Sequence, residues 1–221
     1  LSPALAGTVI LISKIWDAVS DPLMGTISDR TRSKMGRRRP YFLAGVVLIV
    51  LSFALLWGAP RFDREAATFA WVLFAYVFFS TVITMVMAPY NAFQSELTLD
   101  YNERTKLSTT RIVFSTLASF AAALVPPMIY DSFPPGQLRT GYFVMAIAFG
   151  LFFGLPFLAT FFFTKERPEF QREPQPLDLK KNFLSPFKTP GYTRVLLMYL
   201  FAFVSIDAVN AIVIFFMTYY L

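Results

Sequence analysis

Lys14, Asp17 and Asp21 lie within Ser13-Lys14-Ile15-Trp16-Asp17-Ala18-Val19-Ser20-Asp21-Pro22, at i, i+3 and i+7. On an α-helix that spacing puts all three on one face. A carboxylate at the middle of a bilayer costs roughly 2.5–3.5 kcal/mol on insertion scales. Two of them on one apolar helix must therefore face a cavity or a partner. Carboxylates one turn apart repel each other. They share a bound cation such as Na⁺, or one of them holds a proton. Either is the chemistry of a coupling-cation site. The plainer reading is a structural Lys14–Asp17 pair, but the second aspartate then leaves an excess negative charge. Pro22 removes a backbone hydrogen bond beside Asp21 and loosens the helix there.

Tyr90 and Gln94 stand one turn apart with Asn91 adjacent to Tyr90. They suit hydrogen bonding to a polar solute, or equally the gluing of helices in lipid. Asp207 and Asn210, at i and i+3 in an apolar run, should face a central cavity or a partner helix. Lys14, Tyr90, Asn91, Gln94, Asp207 and Asn210 are thus the substrate-cavity candidates. The chain has no cysteine and no histidine. That excludes thiolate and imidazole metal sites, disulfides, and Cys or His catalysis. Membrane aspartyl proteases place their two carboxylates on two helices; Asp17 and Asp21 share one, so an enzyme is not expected.

The elements that must position these residues are membrane helices. Of 221 residues, 56% are apolar and 15% charged, against about a quarter charged in soluble domains. Residues 40–60, 66–95, 112–130 and 140–164 contain no Asp, Glu, Lys or Arg, and each is long enough to cross the roughly 30 Å hydrocarbon core. A soluble enzyme, a disulfide-rich secreted domain and a disordered tail are excluded. Spans of this length make an all-α integral membrane bundle and exclude a barrel. Six spans are expected, over 4–27, 40–59, 67–95, 108–130, 141–164 and 194–221. Sixteen of the twenty cations fall on loops 28–39, 96–111 and 165–194, and only Arg61, Arg64 and Arg139 on the opposite side. The basic loops are therefore cytoplasmic, and the net charge of +6 reflects orientation rather than nucleic-acid binding. Gly150 and Gly154, and likewise Ser119 and Ala123, form small-residue faces for close helix packing. Phe161, Phe162 and Phe163 are expected to face lipid. The chain starts at Leu1 and stops at Leu221 within an apolar run, so both ends are expected to be truncated.

Asp21-Pro22-Leu23-Met24-Gly25-Thr26-Ile27-Ser28-Asp29-Arg30 runs on to Gly36-Arg37-Arg38-Arg39-Pro40-Tyr41. A second block is Ala88-Pro89-Tyr90-Asn91-Ala92, followed by Glu96-Leu97-Thr98 and Asp100-Tyr101-x-Glu103-Arg104-Thr105. These resemble the glycoside–pentoside–hexuronide:cation symporter family, the melibiose-carrier branch of the major facilitator superfamily, over the whole chain. The resemblance implies a twelve-helix carrier working by alternating access, of which this chain holds the second to seventh helices. Residues 1–164 would then belong to the N-terminal bundle, 165–193 to a cytoplasmic interdomain linker, and 194–221 to the first helix of the C-terminal bundle.

The same resemblance implies a cation site at Asp17, Asp21 and Thr84, for Na⁺ or H⁺, with no other cofactor. Where the melibiose carrier binds sugar, an acidic position is Met87 here and a stacking tryptophan is Asn91. The implied partners are the bilayer, a small organic solute (a sugar or glycoside, or alternatively a lysolipid or other amphiphile) and the carrier's remaining helices. The implied location is the plasma membrane. Asp29, Arg30, Arg37 and Arg38 resemble a cytoplasmic gating loop, and Glu96, Asp100, Glu103, Arg104 and Arg111 its matching cluster. A positive-inside anchor explains the arginines but not Asp29. A non-transporting receptor or scaffold on the same fold is the further alternative.

Overall fold

The computed structural model describes residues 1–166 and 186–220. Among them there is no strand. The helices are α1 (Pro3–Arg30), α2 (Arg39–Trp57), α3 (Glu65–Glu96), α4 (Tyr101–Tyr130), α5 (Leu138–Phe163) and α6 (Pro190–Tyr220). The first five are each long and apolar enough to cross a membrane. The sixth expected span falls on α6, whose described apolar stretch is Gly191–Ile206. The chain divides into two units, Leu1–Pro174 and Gln175–Leu221. Most of the expected linker, 167–185, lies outside the described residues.

Local chemistry sets the helix ends. Ser2 caps α1 by accepting from the Leu5 N–H. Pro40 sits in the first turn of α2, where its missing N–H costs nothing. The fourth span was expected from residue 108, yet α4 begins at Tyr101. The reason is a cap: Asp100 accepts from the Glu103 N–H at 2.9 Å, and the Glu103 carboxylate accepts the Thr98 hydroxyl. This starts the helix inside the α3–α4 connection, before the apolar run. At about 1.5 Å per residue, α3, with 32 residues, projects well beyond the hydrocarbon core.

In the first unit α2 packs chiefly against α5 and α3, and α1 packs on α3. Phe42 and Ile49 of α2 meet Val82, Val86 and Phe93 of α3 in the core. Lipid tails are as apolar as leucine, so close approach rather than water exclusion holds such helices together. A Cβ on Gly150 would lie 2.9 Å from the Val50 Cα, and one on Gly45 2.3 Å from the Val86 Cγ2. These glycines let the backbones of α5 and α3 close on α2. By contrast α4 packs mainly on α5 and buries none of its residues, so Ser119 and Ala123 are exposed rather than packed. Phe161 also departs from its expected lipid-facing role: it lies against the core cluster and beneath the Arg39 guanidinium, while Phe162 and Phe163 stay exposed.

α1 and α3 run parallel with a constant offset of 63 residues, seen in the pairs Ser2–Glu65, Asp17–Ser80 and Asp21–Thr84. That register places the charged face of α1.

In the second unit, Pro186–Lys188 forms a single turn before α6. The Thr193 hydroxyl donates to the Phe187 carbonyl at 3.4 Å, tying that turn to the helix. Asp207 and Asn210 lie on α6, and their side chains fall outside the described residues.

Candidate functional site

The parallel register sets two hydroxyls of α3 opposite two carboxylates of α1. The Ser80 hydroxyl donates to Asp17 Oδ1, and the Thr84 hydroxyl donates to Asp21 Oδ1 at 2.7 Å. Both helices use an i, i+4 spacing, so the contacts form a two-rung ladder. Beside the first rung Trp16 Nε1 donates to the Thr81 hydroxyl at 2.8 Å, which fixes the rotation of α1 on α3. Lys14 Nζ stands 3.4 Å from Asp17 Oδ2. The ladder opens onto a cavity of about 480 Å³ lined by Lys14, Asp17, Asp21, Ser80, Thr84, Met87 and Asn91 among others. Ser13 and Ser20, buried on α1, have hydroxyls without a hydrogen-bond partner among the described residues.

The carboxylates are thus not sealed in the protein; they face an open cavity of mixed polar and apolar lining. Among the described residues no three His, Cys, Asp or Glu side chains gather as a metal cluster. The arrangement presents six side-chain oxygens on two helices, from two carboxylates and two hydroxyls. That donor set suits a hard monovalent cation or a single proton, not a thiophilic metal.

Farther along α3, Tyr90, Asn91 and Gln94 do not act as one unit. The Tyr90 ring packs against Phe42 and Phe157. Asn91 and Gln94 carry side-chain oxygens that accept from Arg111, at 3.0 Å for Asn91. The Arg111 guanidinium also lies 5.5 Å over the Tyr90 ring. Arg111 was expected in the cytoplasmic gate; the structure sets it with the substrate-cavity residues instead. The cause is the early start of α4, which brings Arg111 a full helical stretch inward from the cap at Asp100. Asn91 lines both the ladder cavity and a second one of about 230 Å³ with Gln94 and Arg104. Tyr90 and Arg111 edge a larger apolar cavity of about 860 Å³, walled by Phe114, Phe152 and Phe153.

The remaining gate residues divide in two. Arg38, 4% exposed at its side chain, pairs with Asp29 at 2.8 Å and with Glu96 at 2.7 Å. Arg37 reaches the same Glu96 at 3.1 Å. Arg30 is the last residue of α1. Asp100 and Arg104 instead shape the α3–α4 turn: Asp100 caps α4, and Arg104 donates to the Thr98 and Ser95 carbonyls at 2.8 and 3.0 Å.

Two residues enter that sequence reasoning passed over. Ser80 carried a signal, since it precedes Thr84 by the four residues that separate Asp17 from Asp21. Glu166 carried none. Its carboxylate accepts from the backbone N–H groups of Arg37, Arg38 and Arg39 at 2.9, 2.7 and 3.3 Å. This depends on the turn at Gly36, whose φ is +108°.

The sequence profile of the family described as MFS/sugar transport protein matches residues 1–221. The uncharacterized symporter YnaJ of Bacillus subtilis (strain 168) is 32% identical over 96% of this chain and 45% of its own length. The putative glycoside/cation symporter YagG of Escherichia coli (strain K12) is 32% identical over 79% of this chain and 38% of its own. The sodium-dependent lysophosphatidylcholine symporter 1 of Mus musculus is 26% identical over 58% of this chain and 25% of its own. The chain spans less than half the length of these relatives. It belongs to the MFS/sugar transport protein family and is a multi-pass membrane protein.

Proposed function

We propose that this chain is part of a cation-coupled secondary symporter of a small organic solute in the plasma membrane. Residues 1–164 supply the N-terminal bundle and 194–221 the first helix of the second bundle. The observation that carries the reading is the ladder of Asp17 on Ser80 and Asp21 on Thr84, facing one cavity. Asp17, Asp21 and Thr84 hold the coupling ion, and Ser80 joins them. Without it the two carboxylates carry more negative charge than Lys14 alone compensates. With it they are neutralised, and α1 is drawn onto α3. One positive charge crossing 100 mV supplies about 2.3 kcal/mol, roughly fiftyfold accumulation of solute.

Asn91, Gln94 and Arg111 form the solute end of the site, with Asn91 shared between the two parts. Asp29, Arg37, Arg38 and Glu96 close the cytoplasmic side in one state; such a closure drives transport only because its pairings differ between states. A sugar or glycoside is the first solute class to test. A second reading, an amphiphile, is favoured by the apolar cavity that Arg111 edges and by Met87 in the ladder wall.

The test is thermal stability of the natural full-length protein in detergent, titrating NaCl against choline chloride at fixed pH and ionic strength. A ligand of the folded state raises stability by RT ln(1 + [L]/Kd). Na⁺ should raise the melting point of the parent and not of Asp21→Asn. If Na⁺ does nothing, uptake driven by a pH gradient decides between proton coupling and a structural pair. A parent that neither binds a cation nor moves solute refutes the reading and leaves the receptor or scaffold.

A further inference from the structure

We propose that Lys14 is a tethered competitor of the coupling cation, held on Asp17 when the cation is absent and displaced when it arrives. This rests on the cation-site reading above and adds a role for the lysine. Among the described residues Lys14 is the one Lys or Arg lining the ladder cavity. Its ammonium sits 3.4 Å from Asp17 Oδ2, while Ser80 holds Oδ1. Asp17 is therefore engaged on both oxygens, and a cation entering the ladder must share a carboxylate with an ammonium. Two like charges on one carboxylate repel, so one of them has to leave.

The structure identifies the one that leaves. The Lys14 side chain is 71% exposed, whereas that of Asp17 is 20% exposed. The lysine is bound by charge rather than by packing, and its four-carbon stem lets the ammonium swing away without disturbing α1. Asp17 is fixed by Ser80 and by the Trp16–Thr81 brace between the adjacent residues. The consequence is a site that never presents two bare carboxylates. The empty carrier keeps Asp17 neutralised by its own lysine, and the loaded carrier keeps it neutralised by the ion. Exchange of one for the other is what makes the empty and loaded states distinct.

The proposal predicts an unusual sign. Removing a side chain that helps bind an ion weakens binding, and removing a bystander changes nothing. Removing a competitor strengthens it. The experiment is the NaCl titration of melting temperature on the natural full-length protein, with choline chloride holding ionic strength constant so that screening does not vary. The variants are Lys14→Gln, Lys14→Met and Lys14→Arg, with Asp21→Asn as control. Lys14→Gln and Lys14→Met should lower the NaCl concentration at half-effect about tenfold, and Lys14→Arg should stay near the parent. Two neutral variants guard against one failing to fold. If the parent responds to Na⁺ and Asp21→Asn does not, yet the neutral variants keep or raise the half-effect concentration, the competitor role is overturned alone. If the parent does not respond to Na⁺ at all, the sodium site falls and this inference with it.

Discussion

Glu166→Ala tests a contact between sequence-distant parts of the first unit. The Glu166 carboxylate covers three successive N–H groups at the start of α2, with the two shorter bonds at 2.7 and 2.9 Å. α2 has no capping side chain of its own at Arg38, so these orphan donors depend on Glu166. In return Arg39 donates to the Phe161 carbonyl at 2.6 and 3.2 Å and lies 4.7 Å over the Phe161 ring. The end of α5 and the start of α2 thus cap each other, and each charge meets the favourable end of a helix dipole. Hydrogen bonds to a charged group contribute about 1.5–3 kcal/mol net. Taking about 2 kcal/mol for a half-buried site, local opening should become about thirtyfold more frequent, at 1.4 kcal/mol per tenfold. The assay is deuterium uptake by mass spectrometry on a peptide spanning residues 32–43 of the full-length protein in a lipid nanodisc. Amides of Arg37, Arg38 and Arg39 should exchange about thirtyfold faster in Glu166→Ala. In Glu166→Gln, which keeps an acceptor but no charge, the gain should be about fivefold. Peptides from the core of α2, around Ile49 and Ser52, serve as the control for global loosening. Unchanged exchange at the three amides would refute the clasp.

Three further outcomes follow from the packing and the ladder. Ser80→Ala should raise the NaCl concentration at half-effect by about tenfold in the thermal titration, through loss of one rung and its charge-assisted bond; an unmoved titration would remove Ser80 from the site. Arg38→Gln leaves Glu96 with Arg37 but strips Asp29 of its partner, and Asp29 is 55% exposed at its side chain. The loss should therefore be about 2 kcal/mol, below the 3–5 kcal/mol of a fully buried pair, read by denaturant titration in mixed micelles. Gly150→Ala drives a methyl to 2.9 Å from the Val50 Cα, which is backbone and cannot rotate away. It should cost about 1–3 kcal/mol and lower the yield of folded protein, whereas Gly7→Ala, with nothing within 4 Å, should be silent.

The helices were legible because the charge-free stretches are long and their boundaries carry proline, glycine and clustered charge. The start of α4 was not, because hydropathy marks where a helix enters lipid and a polar cap marks where it begins. Asp17 and Asp21 could be placed together on one face from spacing alone. Their hydroxyl partners depend on the register between two helices, and spacing within α1 says nothing of that. Arg111 was grouped with the gate by its nearness in sequence to Arg104, yet seven residues of helix carry it about 10 Å inward. Tyr90 reads as a solute ligand by type, while its ring is taken by Phe42 and Phe157. Glu166 was invisible because it sits among mixed charges, and only the turn at Gly36 makes its target.

The ladder and the cytoplasmic cluster are fixed to the same two helices, and this determines how one can influence the other. Asp21 and Asp29 are eight residues apart on α1, about 12 Å; Thr84 and Glu96 are twelve apart on α3, about 18 Å. At one end the helices meet through the hydroxyl–carboxylate bonds of the ladder, where the proposed coupling ion would bind. At the other, Arg38 bridges Asp29 of α1 to Glu96 of α3. Arg38 belongs to neither helix. It stands at the head of α2, on the turn that Glu166 holds through its backbone. A change in the spacing of α1 and α3 at the ladder therefore reaches the cluster as a change in two ion-pair distances about one fixed guanidinium. Ion pairs of 2.7 and 2.8 Å weaken as they are stretched, the Glu96 pair more than the pair with the half-exposed Asp29. On the cation-site reading proposed above, a movement at the ladder would alter the two ion pairs that Arg38 makes with Asp29 and Glu96.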